Sequence, residues 1–369
     1  MTHYCKAPWT ALFVHPNGGV KSCCAGEWDW GNLKENTVEE ILQDPKIVKL
    51  KQDILDGVPN DFCKICARGE EMSGSSQRSY FDKFSISDEQ LQDVNAFELQ
   101  SLDVRWSNLC NLACVYCCED WSTSWQQIKG IPISPAIVDY HDNILNYITA
   151  RAQGVESIIL AGGEPLLHKQ NIKLLESLPE STHIDIITNL SINVERSRVF
   201  QLLDGRPNVH WSISMEGLGD RFEYVRQRAE WDQMCANLER IKGQNITLFP
   251  VYCIYSVSQL REYYQFAADV GANIHWQQLV GPDHLNVFNF SQPVRQYAHD
   301  QIAQLLSDPI MQTVKNHDGF LDYVQSQLLL NDPVKTQDHR FRLLAPHYEK
   351  TLSKNWTTIW PELDAIIQP

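Results

Sequence analysis

Residues 107–120 read SNLCNLACVYCCED and place Cys110, Cys114, Cys117 and Cys118 within nine positions. The first three form C-x3-C-x2-C directly after an apolar run, residues 102–106, that is expected to be a strand. Three thiolates on one short loop can hold three irons of a cubane and leave the fourth iron open, because cysteine sulfur is the usual protein ligand of such clusters. A structural zinc wants four closed ligands, typically two C-x2-C or Cys/His pairs, and the loop lacks that arrangement. Spacing therefore favours iron–sulfur over zinc. Cys118, adjacent to Cys117, points its side chain elsewhere and reads as a packed thiol.

Outward from the loop, short apolar runs alternate with helical segments from about residue 101, which argues for βα units and a parallel sheet. Strands are expected at 102–106, 157–161, 184–188, 209–214, 246–254 and 273–279, and helices near 135–152, 168–178, 193–204, 229–243 and 257–270. A further helix is expected in DHLNVFNFSQPVRQYAHDQIAQLL. The expected fold class is α/β: a partial (β/α)6 TIM barrel over 101–282. A small cysteine-rich domain over 1–75 precedes it, with one helix in TVEEILQDPKIVKLKQDILDG broken near Pro45. The Ser, Gly and charge content of 76–100 reads as a linker, and 283–369 as a helical C-terminal extension without a chemical motif.

Composition narrows the function classes. A chain of 369 residues, 43 % hydrophobic, buries a large core and is longer than one ordinary domain. No apolar run approaches the roughly 18 residues of a membrane helix, and MTHYCKAPWT lacks the pattern of a secretory signal, so a cytoplasmic protein is expected. The formal charge of −15 repels phosphate backbones, so neither a nucleic-acid nor a membrane partner is expected. Eleven cysteines without an export signal point to metal or catalytic use rather than disulfides, and their two clusters suggest two sites.

The motifs around the loop resemble those of radical S-adenosylmethionine (SAM) enzymes. C-x3-C-x-aromatic-C, with Tyr116 as the aromatic, stands where that family carries it, after the first barrel strand. Gly162, Gly163, Glu164 and Pro165 follow the second strand and resemble the family's GGEP segment, which contacts the SAM amino group. Thr188 and Asn189 resemble the Thr-Asn turn after the third strand, and the segment from Ser214 to Gly217 resembles the Ser-x-Asp-Gly end of the fourth. Arg226 sits where related enzymes have an arginine near the SAM carboxylate. Backbone without side chains at Gly162 and Gly163 lets a ligand approach, and ligands in such folds bind at the carboxyl ends of strands. On the fourth strand His210, Ser212, Ser214 and Glu216 alternate with apolar residues, and this polar face is expected to line a pocket. Alone, GGEP or Thr-Asn is as readily a turn, and Arg226 as readily a surface charge.

Upstream, Cys5, Cys23, Cys63 and Cys66 can close around a zinc or a complete iron–sulfur cluster, and spacing does not separate the two. Beside the radical SAM motifs, CKAPWTALFVHPNGGVKSCC, GNLKENTVEEIL and DFCKIC resemble a twitch or SPASM-like auxiliary domain, with Cys24 as an alternative to Cys23. In the best-known members this domain follows the barrel, whereas here it precedes it and the later cysteines of a full SPASM domain are missing. The resemblance implies two 4Fe-4S clusters, one SAM-binding and one auxiliary, and SAM as cofactor. The auxiliary cluster is expected to serve electron transfer or structural support.

The resemblance further implies reductive cleavage of SAM to a 5'-deoxyadenosyl radical that abstracts hydrogen from a substrate. The expected substrate is a ribosomally made precursor peptide, altered by cross-linking, epimerisation, oxidation or backbone excision. A separate leader-recognition protein and a flavodoxin or ferredoxin-type reductant are the expected partners. A nucleotide, sugar or other small molecule is the alternative substrate, and a non-catalytic electron carrier or zinc-stapled scaffold the alternative of another class. Cys235 and Cys253 read as buried inert thiols, with Cys253 the better hydrogen donor if the reaction is an epimerisation. Gln277 and Gln278 can contact adenine or substrate, or make structural hydrogen bonds.

Overall fold

Apolar runs with little alternation, such as ALFV at 11–14, suit strands buried on both faces of a parallel sheet. The computed structural model describes residues 4–73, 76–132, 141–279, 281–314, 319–330, 332–349 and 355–367. It divides into two units, the first of residues 1–109, 131–186 and 198–209, the second of 110–130, 187–197 and 210–369. Among the described residues no helix is long and apolar enough to cross a membrane.

The first unit is built on β1 (Ala11–Val14), β2 (Gly19–Lys21), β3 (Gly31–Asn32), β4 (Ser101–Val104), β5 (Ser157–Leu160) and β6 (His183–Thr188, whose last two residues belong to the second unit). Their order is β3-β2-β1-β4-β5-β6, antiparallel from β3 to β1 and parallel from β1 onward. Ala11 faces Ser101 and Val14 faces Val104, so the cysteine-rich segment shares a sheet with the strands read as the barrel. Thr37 and Glu40 form a capping box on the helix Val38–Leu42, and Asp44 caps Pro45–Leu55, with Pro45 where its missing N–H is harmless.

Residues 76–100, polar enough to read as a linker, carry helices Arg78–Phe81 and Asp88–Gln92 and are anchored to their surroundings. Phe81 and Phe84 join Cys5, Ala7 and Ala11 in one apolar cluster, and Lys6 Nζ donates to the carbonyls of Asp82 and Phe84. Lys51 is fully buried, donating to Ala96 O at 2.8 Å with its ammonium 5.4 Å from the Trp9 ring centre. Of the expected helix at 135–152 the structure gives His141–Thr149, and residues 133–140 lie outside the described residues.

The second unit contains β7 (Val209–Ile213, of which Val209 belongs to the first unit), β8 (Asn245–Leu248), β9 (Val251–Tyr252), β10 (Asn273–Ile274) and β11 (Gln277–Gln278). β7, β8 and β10 are parallel neighbours, and β9 pairs in parallel with β11. The single strands expected at 246–254 and 273–279 are thus each divided in two. The division falls at Pro250, which has no N–H for the ladder but whose carbonyl accepts Gln277 N at 2.7 Å. The helix Gln292–Ser307 carries Arg295, whose buried guanidinium donates to the carbonyls of Phe290 and Leu328 and pairs with Asp332. Trp360 packs 4.9 Å from Tyr255 and 5.2 Å from Tyr224, so the C-terminal segment is part of this unit's core.

Burial lowers the Lys51 ammonium to about 8 from an ordinary value of 10.5. Between those values the unfolded chain binds more protons than the native one, so this lysine makes stability rise with pH there. The urea midpoint of the parent should therefore gain on that of Lys51→Met as pH goes from about 8 to 10. Parallel midpoints across that range would contradict the assignment.

Candidate active site

Local hydrogen bonds of short polar side chains shape the loop of residues 110–118. Ser122 caps the helix Thr123–Lys129, accepting from Trp125 N, while its hydroxyl donates to Leu112 O at 2.6 Å. Thr123 Oγ1 accepts from Cys110 N, Ser124 Oγ donates to Cys110 O at 2.9 Å, and Trp125 Nε1 donates to Cys114 O at 2.9 Å. On another side the backbone of Ala113 donates to Gln227 O and that of Val115 to Val225 O. The loop is therefore held by main chain and side chain together, as cluster ligands require.

A fully buried carboxylate, Glu216, stands at the centre of this arrangement. It accepts from Arg226 Nε at 2.8 Å, Arg226 Nη2 at 3.1 Å, Tyr116 Oη at 2.9 Å and Val251 N at 3.1 Å. Two oxygens thus have four donors, and the charge has a bidentate counter-ion. Arg226 Nη1 lies 3.7 Å from Cys114 Sγ. Burial opposes the Arg226 charge, but Glu216 beside it holds the guanidinium well above its ordinary value. Burial pushes the Cys114 thiol up, and Arg226 pulls in the opposite direction.

The remaining expected residues distribute as follows. Asn189 lies by the loop, with Nδ2 3.8 Å from Cys110 Sγ and 3.0 Å from Asn111 Oδ1. Thr188 instead turns its hydroxyl to Leu190 N, and its carbonyl accepts from Ser214 N. Ser212 is buried, and His210 Nε2 meets Thr247 Oγ1 at 2.8 Å. The polar face of the fourth strand was expected to line a pocket, but Glu216 is used up internally because a buried charge needs every oxygen satisfied. Gln277 is half-buried with Nε2 near Trp276 O, and Gln278 is exposed. Cys253 follows β9 rather than lying within it, and burial pushes its thiol up to about 12. Cys235 is half-buried, and Cys118 is half-buried with its carbonyl 3.7 Å from Cys117 Sγ.

In the first unit, Gly162 and Gly163 both have positive φ, 78° and 49°. A Cβ on Gly163 would sit 2.2 Å from Leu109 O, the carbonyl immediately before Cys110 in sequence. Glu164 is buried and accepts from Leu166 N at 3.0 Å, and its backbone N–H donates to Leu109 O at 2.8 Å. The turn is thereby fixed against residues 108 and 109, with Pro165 starting a short 3-10 turn.

The four upstream cysteines come together in this unit. Cys5 precedes the helix Ala7–Thr10, Cys23 follows β2, Cys63 ends a 3-10 turn and Cys66 lies on the helix Lys64–Ser73. All four line one pocket, whereas Cys24 does not line it and is exposed. Burial pushes Cys5 up to about 12, with the neighbouring Cys63 and Cys66 adding to the shift. Among the described residues no three His, Cys, Asp or Glu side chains close on a point for a single metal ion. Four soft thiols around a cavity are a donor set that fits an iron–sulfur cluster. In the second unit, Asn189 and Arg226 aim N–H donors at Cys110 and Cys114, which suits thiolate ligands.

The sequence carries local signals for the supporting residues. The Ser-Thr-Ser run at 122–124 before a helix is an N-cap pattern, and Asn111 sits inside the motif itself. Nothing local joins Tyr116 to Glu216, one hundred residues apart.

Comparison with known proteins supplies the context. Residues 104–266 match the Radical SAM superfamily, and residues 5–67 match the iron–sulfur cluster-binding domain named SPASM. The chain is 26 % identical over 167 residues to a probable GTP 3',8-cyclase of Methanocella arvoryzae, covering 45 % of this chain and 50 % of that protein. It is 35 % identical over 88 residues to a 7-carboxy-7-deazaguanine synthase of Clostridium acetobutylicum, covering 23 % of this chain and 36 % of that protein. The chain spans half or less of the length of these curated relatives. Among solved structures, Streptococcus suis SuiB bound to S-adenosylmethionine is similar at 17 % identity and a TM-score of 0.40, over 71 % of this chain and 62 % of SuiB. SuiB bound to its precursor peptide SuiA gives 0.41 over 69 % and 61 %. The two family matches imply a 4Fe-4S cluster with SAM, and an auxiliary cluster.

Removing one partner of a buried ion pair leaves the other uncompensated, at a cost of about 3–5 kcal/mol. Glu216→Gln should lower the stability of the chain by that order in equilibrium urea unfolding and raise the thiol reactivity of Cys114. A variant as stable as the parent would show that Arg226 finds another counter-charge.

Proposed function

We propose, from the match of residues 104–266 to the Radical SAM superfamily and of residues 5–67 to the SPASM domain, that the chain is an enzyme that abstracts hydrogen from a precursor peptide. Cys110, Cys114 and Cys117 are proposed to hold the SAM-binding cluster, and Cys5, Cys23, Cys63 and Cys66 the auxiliary one. Held by the first three of these cysteines, a reduced cluster with SAM would supply the difficult radical chemistry, while the protein would orient the reactants. The observation that carries the reading is the gathering of four thiols at one pocket in addition to the C-x3-C-x2-C loop. A full set of four leaves the auxiliary cluster no open iron, which favours electron transfer or structural support over direct coordination of substrate.

The residues of the second unit then have separable tasks. Asn189 and Arg226 direct N–H donors at the sulfurs of Cys110 and Cys114, where they would support cluster ligands. Glu216 takes Nε and Nη2 of Arg226 while Nη1 faces Cys114, which supports a task on the cysteine loop. In the first unit, contact with the SAM amino group is the task that the resemblance gives to Gly162 and Gly163. A separate leader-recognition protein and a flavodoxin or ferredoxin-type reductant complete the reaction.

A nucleotide substrate is the second reading, favoured by the likeness to GTP 3',8-cyclases. Against it, three arginines on or beside the motif-bearing segments already have carboxylate partners: Arg105 with Asp103, Arg221 with Glu362 and Arg226 with Glu216. A triphosphate would have to compete with those carboxylates.

Anaerobic incubation with SAM, reductant and candidate substrates separates the readings. The parent should form 5'-deoxyadenosine, Cys110→Ala should form none, and a precursor peptide should change in mass or stereochemistry. Turnover of GTP with no change in any peptide would replace the first reading by the second.

A further inference from the structure

The pocket that gathers Cys5, Cys23, Cys63 and Cys66 is also lined by two buried side chains, each with at least one polar atom that has no hydrogen-bond partner. Arg78 is 6 % exposed and Ser22 is 2 % exposed. Arg78 Nη1 donates to Glu70 Oε2 at 3.1 Å, and Ser76 Oγ donates to the other oxygen of that carboxylate at 2.6 Å. Arg78 Nε and Nη2, and the hydroxyl of Ser22, are left without partners. Ser22 directly precedes Cys23, and Arg78 lines the pocket together with Cys63. Apart from Gln77 and the cysteines, the other lining residues are apolar, among them Ala7, Pro8, Ile54, Phe62 and Phe81.

Unmatched guanidinium donors in such surroundings are costly, and native proteins rarely leave them. Glu70 meets only one edge of the arginine and offsets its charge, leaving the other donors free for the cavity. A cluster bound by four thiolates would bring sulfur acceptors there. Both hydrogen bonds to sulfur and a nearby cation stabilise the more negative, reduced state, and so raise the reduction potential.

We propose that Arg78 and Ser22 donate hydrogen bonds to the sulfurs of the auxiliary cluster, and that Arg78, oriented by Glu70, sets that cluster's reduction potential. The proposal rests on the assignment of Cys5, Cys23, Cys63 and Cys66 as its ligands. Arg78 and Ser22 are positioning residues here, acting on the cluster's environment rather than ligating iron.

The test uses the full chain with Cys110, Cys114 and Cys117 all replaced by Ala, so that the auxiliary cluster alone is reconstituted and titrated by electron paramagnetic resonance. In that background Arg78→Met should shift the midpoint potential to more negative values. Arg78→Lys, which keeps the charge without the planar fork, should shift it less, and Ser22→Ala should give a small negative shift with loss of an exchangeable-proton coupling. If Arg78→Met fails to take up the cluster, Arg78→Lys and Ser22→Ala still decide. Unchanged potentials in the variants that load overturn the proposal. A background protein that binds no iron or sulfide overturns the ligand assignment itself, and the role of Arg78 falls with it.

Discussion

The buried pairing of Glu216 with Arg226 is the constraint on which the chemistry of the second unit depends. A carboxylate without solvent must be matched by charge and by donors on both oxygens, and here the four donors come from functionally distinct segments. Tyr116 belongs to the cysteine motif, Arg226 reaches Cys114, and Val251 opens β9. One ion pair therefore ties the loop that would carry a cluster to the strand end beside it. Such pairs are weak evidence for net stability, but they are severe on alternatives, because moving any one segment strands a charge.

The first unit follows the same logic with different groups. Burial raises the thiols of Cys5, Cys23 and Cys63, so binding of metal must displace protons there. The one arginine in their pocket is accompanied by Glu70, which keeps the buried charge balanced. Pairing of β1 with β4 makes this cysteine-rich segment an edgeward continuation of the parallel strands rather than a bead on a tether.

Much of this was legible in the sequence where the signal is local. The runs at 157–161 and 184–188 became β5 and β6 almost residue for residue, and Pro45 broke its helix as its missing N–H demands. The pocket is lined by Cys23 and not by the alternative Cys24, a distinction between adjacent thiols that only the folded chain displays. What the sequence hid is long-range or context-dependent. Pro250 sits inside an apolar run, so the division into β8 and β9 was masked by the hydrophobicity on either side. The polar composition of 76–100 concealed Phe81 and Phe84, two aromatic anchors in an otherwise linker-like stretch. Alternation on the fourth strand identified a polar face but not whether its last member meets a substrate or an arginine.

The central claim is that this chain holds two clusters on two separate sets of cysteines. Iron and acid-labile sulfide per chain after anaerobic reconstitution, with zinc measured in the same sample, test it most directly. The account predicts about eight iron and about eight sulfide per chain, as two four-iron clusters require, and no zinc. One four-iron equivalent, or stoichiometric zinc in place of iron, would contradict it.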